Sequence, residues 1–301
     1  VAITGASGLI GTALTTNLRA DGIRVVHFVR RASNGSDEIT WQPGVDSVDP
    51  GVLSGIDAVV NLSGAGIQDK RWTESYKRTL LTSRVDSTRT IADAIAKSGP
   101  EGPKVLVSGS AVGFYGDTGE RTVEESAPAG EGYLAEICKE WEAAAAPAVD
   151  AGARVVYLRT GLVLSRSGGL LGKLKPLFKL GLGGRLGSGR QYQPWISLVD
   201  EVGAIRFALD TDALRGPVNA TGPAPVTNRE LTHEMGRAAH RPALAVVPGP
   251  ALRLALGEFA GVGVLAGQRA VPAALLSHGY VFTHPTLPEA LTWAFEKGQP
   301  S

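Results

Sequence analysis

Short apolar runs alternate with helical patterns through the first half of the chain. Val1–Thr4, Arg24–Val29, Ala58–Leu62, Val105–Ser108 and Val155–Leu158 are apolar and rich in β-branched residues without in/out alternation, as in strands buried on both faces. Between them Leu9–Asp21, Thr79–Lys97 and Glu136–Asp150 carry the 3.6-residue period of amphipathic helices. Strand followed by helix, repeated, predicts an α/β protein of Rossmann type: a doubly wound parallel sheet covered by helices on both faces. Beyond about Thr160 the texture changes. Gly168, Gly169, Gly181, Gly183, Gly184, Gly187 and Gly189 punctuate a segment read as a mobile loop, and helical stretches (Asn228–Ala239, Pro250–Glu258, Leu287–Phe295) then mix with extended ones such as Tyr280–Thr283. The domain reading is a dinucleotide-binding domain over 1–160, a returning segment near 195–222 that brings Gly216–Ala220 back to the sheet, and a smaller mixed substrate lobe over 161–301.

Composition narrows the function classes. The chain has 301 residues, 30 Lys plus Arg against 29 Asp plus Glu, and a formal net charge of +1, which provides no basic field for nucleic acid or anionic lipid. Cys138 is the only cysteine, so an internal disulfide and a multi-cysteine metal site are excluded. His233, His240, His278 and His284 show no metal-ligand spacing. No apolar run reaches the ~20 residues of a membrane helix. A strand beginning at Val1 leaves no room for a signal peptide, and the cytoplasm is the default expectation.

The chemistry begins at Thr4-Gly5-Ala6-Ser7-Gly8-Leu9-Ile10-Gly11, where the first strand ends and a helix opens. Backbone N–H groups and the helix dipole hold a pyrophosphate at such a place. Gly5 takes the tight turn, Gly8 admits the phosphate close to the backbone, and Gly11 lets helix pack on strand. NAD users place an acidic residue after the second strand, to accept the ribose 2′-hydroxyl. Arg30 and Arg31 stand there instead, and a guanidinium suits a 2′-phosphate, so NADP is expected ahead of NAD.

The Gly-x-x-Gly-x-x-Gly spacing resembles the extended short-chain dehydrogenase/reductase superfamily. Three further stretches are similar to it: Asp57–Ala65, whose Leu62, Ser63 and Gly64 would line the cofactor; Ser108–Gly116, the serine-bearing strand end; and Trp195–Val202. Asp69–Thr73, Leu158–Leu164, Gly181–Gly184, Gly187–Gln191 and Gly267–Pro272 match its "epimerase family" branch of unknown function, also called cell-division-inhibitor-like. The resemblance implies a Rossmann fold, a nicotinamide cofactor touched by Ser7, Leu9, Ile10, Arg84 and Ser108 besides the glycines and arginines above, hydride transfer on an unidentified small molecule, and dimerisation.

The chain departs from that pattern where acid–base chemistry is expected. Superfamily members pair a Tyr with a Lys four residues later on one helix face. Lys139 is the lysine that fits, yet Ala135 stands four residues before it, and Tyr133 lies six before. Arg84 replaces the asparagine of a proton relay, and Gln193 stands where a basic residue would meet a nucleotide-sugar diphosphate. The catalytic candidates are therefore Ser110, Tyr115, Tyr133 and Lys139. Each has a plain alternative: Ser110 satisfies its strand end, Tyr115 anchors its loop from within the core, Tyr133 sits in a loop, and Lys139 pairs with Glu136 or Glu142. Trp72 and Trp195 would wall an aromatic substrate or simply fill the core. The leading expectation is an NADP-dependent oxidoreductase, and the alternative is a non-catalytic NADP-binding sensor or regulatory protein.

Overall fold

The computed structural model describes residues 1–166 and 168–296. Its central sheet contains seven strands: β1 (Ala2–Thr4), β2 (Val26–Val29), β3 (Glu38–Thr40), β4 (Ala58–Asn61), β5 (Val105–Ala111), β6 (Arg154–Thr160) and β7 (Gly216–Ala220), in the order β7-β6-β5-β4-β1-β2-β3. The pairs β1/β2, β1/β4, β2/β3 and β4/β5 run parallel. The chain leaves β1 for β2 and β3 on one side, then crosses back to β4 on the other. That reversal of direction at β1 opens a crevice outside the strands' C-terminal ends, where such sheets bind ligands.

Helices α1 (Leu9–Ala20), α2 (Glu74–Lys97), α3 (Tyr133–Ala143) and α4 (Ala146–Asp150) alternate with these strands. The i, i+3, i+4, i+7 set Gly11, Leu14, Thr15 and Leu18 is the buried face of α1. On α2, Ile91, Ala92 and Ile95 join Ala2, Val59, Leu106 and Val155 of the sheet in one apolar cluster. Thr73 caps α2 by accepting a hydrogen bond from the Tyr76 N–H.

The chain divides into two compact units. The first comprises Val1–Ser110, Ile137–Leu158 and Ile205–Val218; the second comprises Ala111–Glu136, Arg159–Ala204 and Asn219–Ser301. The second contains α5 (Gly169–Lys179), the start of α6 (Leu198–Asp210), α7 (Asn228–Ala238), α8 (Gly249–Leu256), α9 (Ala273–Ser277) and α10 (Leu287–Phe295). One apolar cluster there joins Leu171 and Phe178 of α5, Leu231 and Met235 of α7, Leu287, Ala290 and Leu291 of α10, and Trp195.

Two local expectations are corrected. The glycine-punctuated stretch after Gly168 is not all loop, because α5 forms across Gly172 and Pro176. Burial of Leu171 and Phe178 outweighs the poor helix propensity of that glycine and proline. Tyr280–Thr283 forms no strand: the Thr283 and His284 N–H groups bind the Asp200 carboxylate instead, at 2.6 and 3.0 Å. The edge strand β3 is not legible in the sequence, since three residues, Glu-Ile-Thr, carry no period.

Candidate functional site: a dinucleotide cradle

The crevice is a cavity of about 1570 Å³ lined by residues of the first unit alone. Gly5, Ala6, Ser7 and Gly8 come from the β1–α1 turn, Thr12 from α1, Leu62, Ser63 and Gly64 from the end of β4, and Arg30 and Arg31 from the end of β2. The glycines have distinct jobs. Gly5 has φ +67°, and a Cβ there would lie 2.7 Å from Leu62 O. A Cβ at Gly11 would lie 2.4 Å from Gly5 O, so α1 can sit this close to the turn only with hydrogen at that position. Gly8 is the N-cap of α1 and provides no side-chain cap, leaving the helix's first N–H groups directed outward under the turn. A turn that has no room for a Cβ at Gly5 or Gly11, set at an uncapped helix N-terminus, fits a pyrophosphate.

The other cofactor candidates, Leu9, Ile10, Ser108 and Arg84, lie outside this lining. Leu9 and Ile10 are the first residues of α1 and do not line the cavity. Ser108 is fully buried within β5, with its hydroxyl 3.5 Å from Gly109 O. Arg84 of α2 is committed to protein: its guanidinium donates to Leu80 O at 2.9 Å and Ala65 O at 3.0 Å, and stacks on Trp141, 5.1 Å from the ring centroid. Arg84 thus shapes the loop after β4 rather than reaching into the cavity.

The two arginines differ. Arg31 is held by Glu38, whose oxygens accept from Nη1 and Nη2 at 2.8 and 2.6 Å. Those bonds, and one from the Asn34 N–H at 2.7 Å, hold the Glu38 carboxyl down at about 2. Arg30 is exposed, lines the cavity, and makes no hydrogen bond or ion pair among the described residues. Glu38 was invisible as a site residue without β3. The signal that could have found it is an acidic residue a few positions beyond an Arg pair at a strand end.

The catalytic candidates lie in different settings. Ser110, 4% exposed, donates from Oγ to Glu142 Oε1 at 2.7 Å, across from β5 to α3. On α3, Ala135 and Cys138 are buried, Glu142 is half-buried, and Lys139 is exposed with no ion pair among the described residues. Lys139 therefore lies off the face that packs inward and pairs with neither Glu136 nor Glu142. Tyr133 is half-buried at the first position of α3. Tyr115 is 1% exposed; its hydroxyl donates to Asn219 Oδ1 at 2.7 Å and accepts from Arg159 Nη1 at 3.0 Å. Burial raises its pKa, against the opposing effect of Arg159. The anchoring role describes that arrangement better than proton transfer. Arg159 is buried over the Phe114 ring at 3.4 Å, and Trp195 and Trp72 are buried with their indole N–H groups on Ala224 O and Ile67 O, so these three are core residues.

Comparison with known proteins identifies the family. Residues 247–294 match a domain of unknown function (DUF1731), and residues 1–220 match the NAD dependent epimerase/dehydratase family. The epimerase family protein Mb2239 of Mycobacterium bovis is 51% identical over 294 residues, covering 98% of this chain and 97% of that one. A crystal structure of human epimerase family protein SDR39U1 (isoform 2) with NADPH superposes with a TM-score of 0.87 at 34% identity, covering 97% of each chain. UDP-N-acetylglucosamine 4-epimerase from Bacillus cereus, at 15% identity and a TM-score of 0.74 over 98% and 97% of the two chains, shares the fold alone. No helix among the described residues is long and apolar enough to cross a membrane. With its glycine cradle, its sheet order and these matches over most of its length, the chain belongs to the NAD dependent epimerase/dehydratase family of extended short-chain dehydrogenases.

Proposed function

We propose that the protein is an NADP-dependent oxidoreductase acting on a small molecule, with NADP(H) preferred over NAD(H). The observation that carries the preference is Arg30, on the wall of the dinucleotide cavity, whose guanidinium has no partner among the described residues. A 2′-phosphate presents the oxygens such a fork binds, whereas a 2′-hydroxyl does not need it. The NADPH in the crystal structure of the human relative supports the same choice. Gly5, Gly8 and the first turn of α1 would hold the pyrophosphate, and Leu62, Ser63 and Gly64 would border the cofactor. When bound, the nicotinamide supplies or accepts a hydride at C4. The Ser110 hydroxyl, which donates to Glu142 near the C-terminal end of β5, would be the polar group nearest the reacting carbon.

The test is a fluorescence titration of NADPH and NADH against the wild type and Arg30→Asp. The expected outcome is tighter NADPH binding by the wild type and a preference moved toward NADH by about tenfold or more in the variant. An unchanged preference rejects Arg30 as the 2′-phosphate ligand.

A second reading, an NADP-binding sensor without turnover, is favoured by one observation. The position four residues before Lys139 is a buried alanine, and Lys139 itself is exposed. Single-turnover loss of nicotinamide absorbance with any member of a broad carbonyl panel would eliminate it.

A further inference from the structure

Arg30 and Arg31 are adjacent in the chain and opposite in condition. Arg31 binds both oxygens of Glu38, and its Nη1 also donates to Ala32 O at 2.8 Å. The loop around it is tied down: the Ser33 N–H donates to Thr40 Oγ1 at 2.9 Å, and Thr40 Oγ1 donates to Arg31 O at 3.1 Å. The parallel register sets Glu38 beside His27 and Thr40 beside Val29, so the Glu38 backbone lies two residues short of the level where β2 ends, and its side chain reaches that end through its bonds to Arg31. Its side chain is 20% exposed against 54% for Arg31, so the carboxylate is the inner partner and the guanidinium the outer cover. Both line the cavity with Gly5, Ser7, Gly8 and Arg30.

A carboxylate in a dinucleotide cavity near the end of the second strand has the chemistry by which NAD users accept the ribose 2′-hydroxyl, and an uncompensated one repels a 2′-phosphate. We infer that Glu38 is a specificity-determining residue kept in check by Arg31: the ion pair masks an acceptor of NAD type, and NADP preference depends on that mask as well as on Arg30. The inference rests on the nucleotide-binding reading above. It makes the two arginines unequal in a definite way. Loss of Arg30 removes one attraction for phosphate. Loss of Arg31 also exposes a carboxylate that repels phosphate and accepts a hydroxyl.

The experiment is a double-mutant cycle on the full chain, with Kd for NADPH and for NADH measured by nicotinamide fluorescence for wild type, Arg31→Ala, Glu38→Gln and the double variant. Arg31→Ala should weaken NADPH about tenfold or more and strengthen NADH several-fold, roughly the worth of one charge-assisted contact in each direction. In the double variant the gain for NADH should vanish and NADPH affinity should return to within about threefold of wild type. Arg31→Lys, which keeps the charge, should keep the preference for NADPH, and thermal melts will show that every variant is folded. A double variant that behaves as Arg31→Ala for both nucleotides, or an Arg31→Ala protein with unchanged NADH affinity, overturns the inference while leaving the parent reading intact. A folded wild type that binds neither nucleotide overturns both.

Discussion

At the C-terminal end of β1, the groups offered to a ligand are backbone N–H donors, kept reachable by glycines and bordered by the Arg30 guanidinium. In the second unit the polar groups are turned inward and answer one another. Asp200 accepts from Ser197 Oγ at 2.7 Å and from the Thr283 and His284 N–H groups. Glu125 Oε1 accepts from the Asn219 and Ala274 N–H groups at 2.9 and 3.2 Å, and Arg159 joins Tyr115 to Glu125 O. The first region leaves its hydrogen-bonding capacity for a dinucleotide; the second uses it to hold loops together without a regular ladder. Asp200, Glu125 and Arg159 are thus accounted for by the loops they hold.

The sharpest way to break that contrast is Glu201, on α6. It is fully buried, with Oε1 accepting from Thr160 Oγ1 at 2.8 Å; its Oε2 and the Thr221 Oγ1 have no hydrogen-bond partner among the described residues. Burial pushes its pKa from 4.5 up to about 8, so the carboxyl is neutral in the fold at pH 7. Below about pH 4.5 the folded and unfolded states both hold the proton and no pH dependence arises. As pH rises from 4.5 to 8 only the unfolded state ionises, and stability falls by up to about 5 kcal/mol before levelling off. Glu201→Gln removes this dependence. Denaturant melts between pH 4.5 and 9 should show the variant gaining steadily on the wild type; a difference that stays flat with pH would mean that Glu201 is charged in the fold and belongs with the ligand-facing groups.

Gly11→Ala tests the other side of the comparison. In an open helix position Gly→Ala gains up to about 1 kcal/mol. Here the new Cβ would lie 2.4 Å from Gly5 O and 2.8 Å from Ala6 Cα. The sign should therefore reverse, to a loss of about 3 kcal/mol as α1 is pushed from the turn, with NADPH affinity falling in parallel. A stabilised variant that binds NADPH normally would show that the close approach of helix and turn is dispensable.

The two regions were also unequally legible in the sequence. Glycine spacing exposes the cradle because backbone sterics act locally, and short apolar runs rich in β-branched residues expose β1, β4 and β5. The burial of Arg159 and Glu201 was illegible, since a charge reads as surface until its distant partner is known; Arg159 and Tyr115 are 44 residues apart and Tyr115 and Asn219 are 104 apart. The Arg31–Glu38 pair was missed for a related reason: its carboxylate sits on a three-residue strand with no pattern of its own. Tyr115, read both as a proton donor and as an anchor, needed its hydrogen bonds to separate the two.

Tyr115→Phe turns that separation into a measurement. It deletes a hydroxyl shared by Asn219 and Arg159 in a buried setting. Leaving both partners short should cost about 2 kcal/mol in denaturant unfolding, while NADPH affinity stays within about twofold. A drop in nucleotide affinity at unchanged stability would move Tyr115 from the inward-turned network to the ligand-facing group.

The smallest effect is expected at Lys139. Members of the superfamily use a lysine on this helix to fix the nicotinamide ribose, so in that setting its loss would weaken cofactor binding. Here the side chain is exposed, while Ala135, Cys138 and Glu142 provide the inward face of α3. Substitution at such a surface position away from caps and buried partners changes stability by no more than about 0.5 kcal/mol. Lys139→Met should accordingly leave both the unfolding midpoint and the NADPH Kd within error of the wild type. A Kd raised tenfold would place Lys139 at the cofactor after all and extend the ligand-facing region from the glycine turn onto α3.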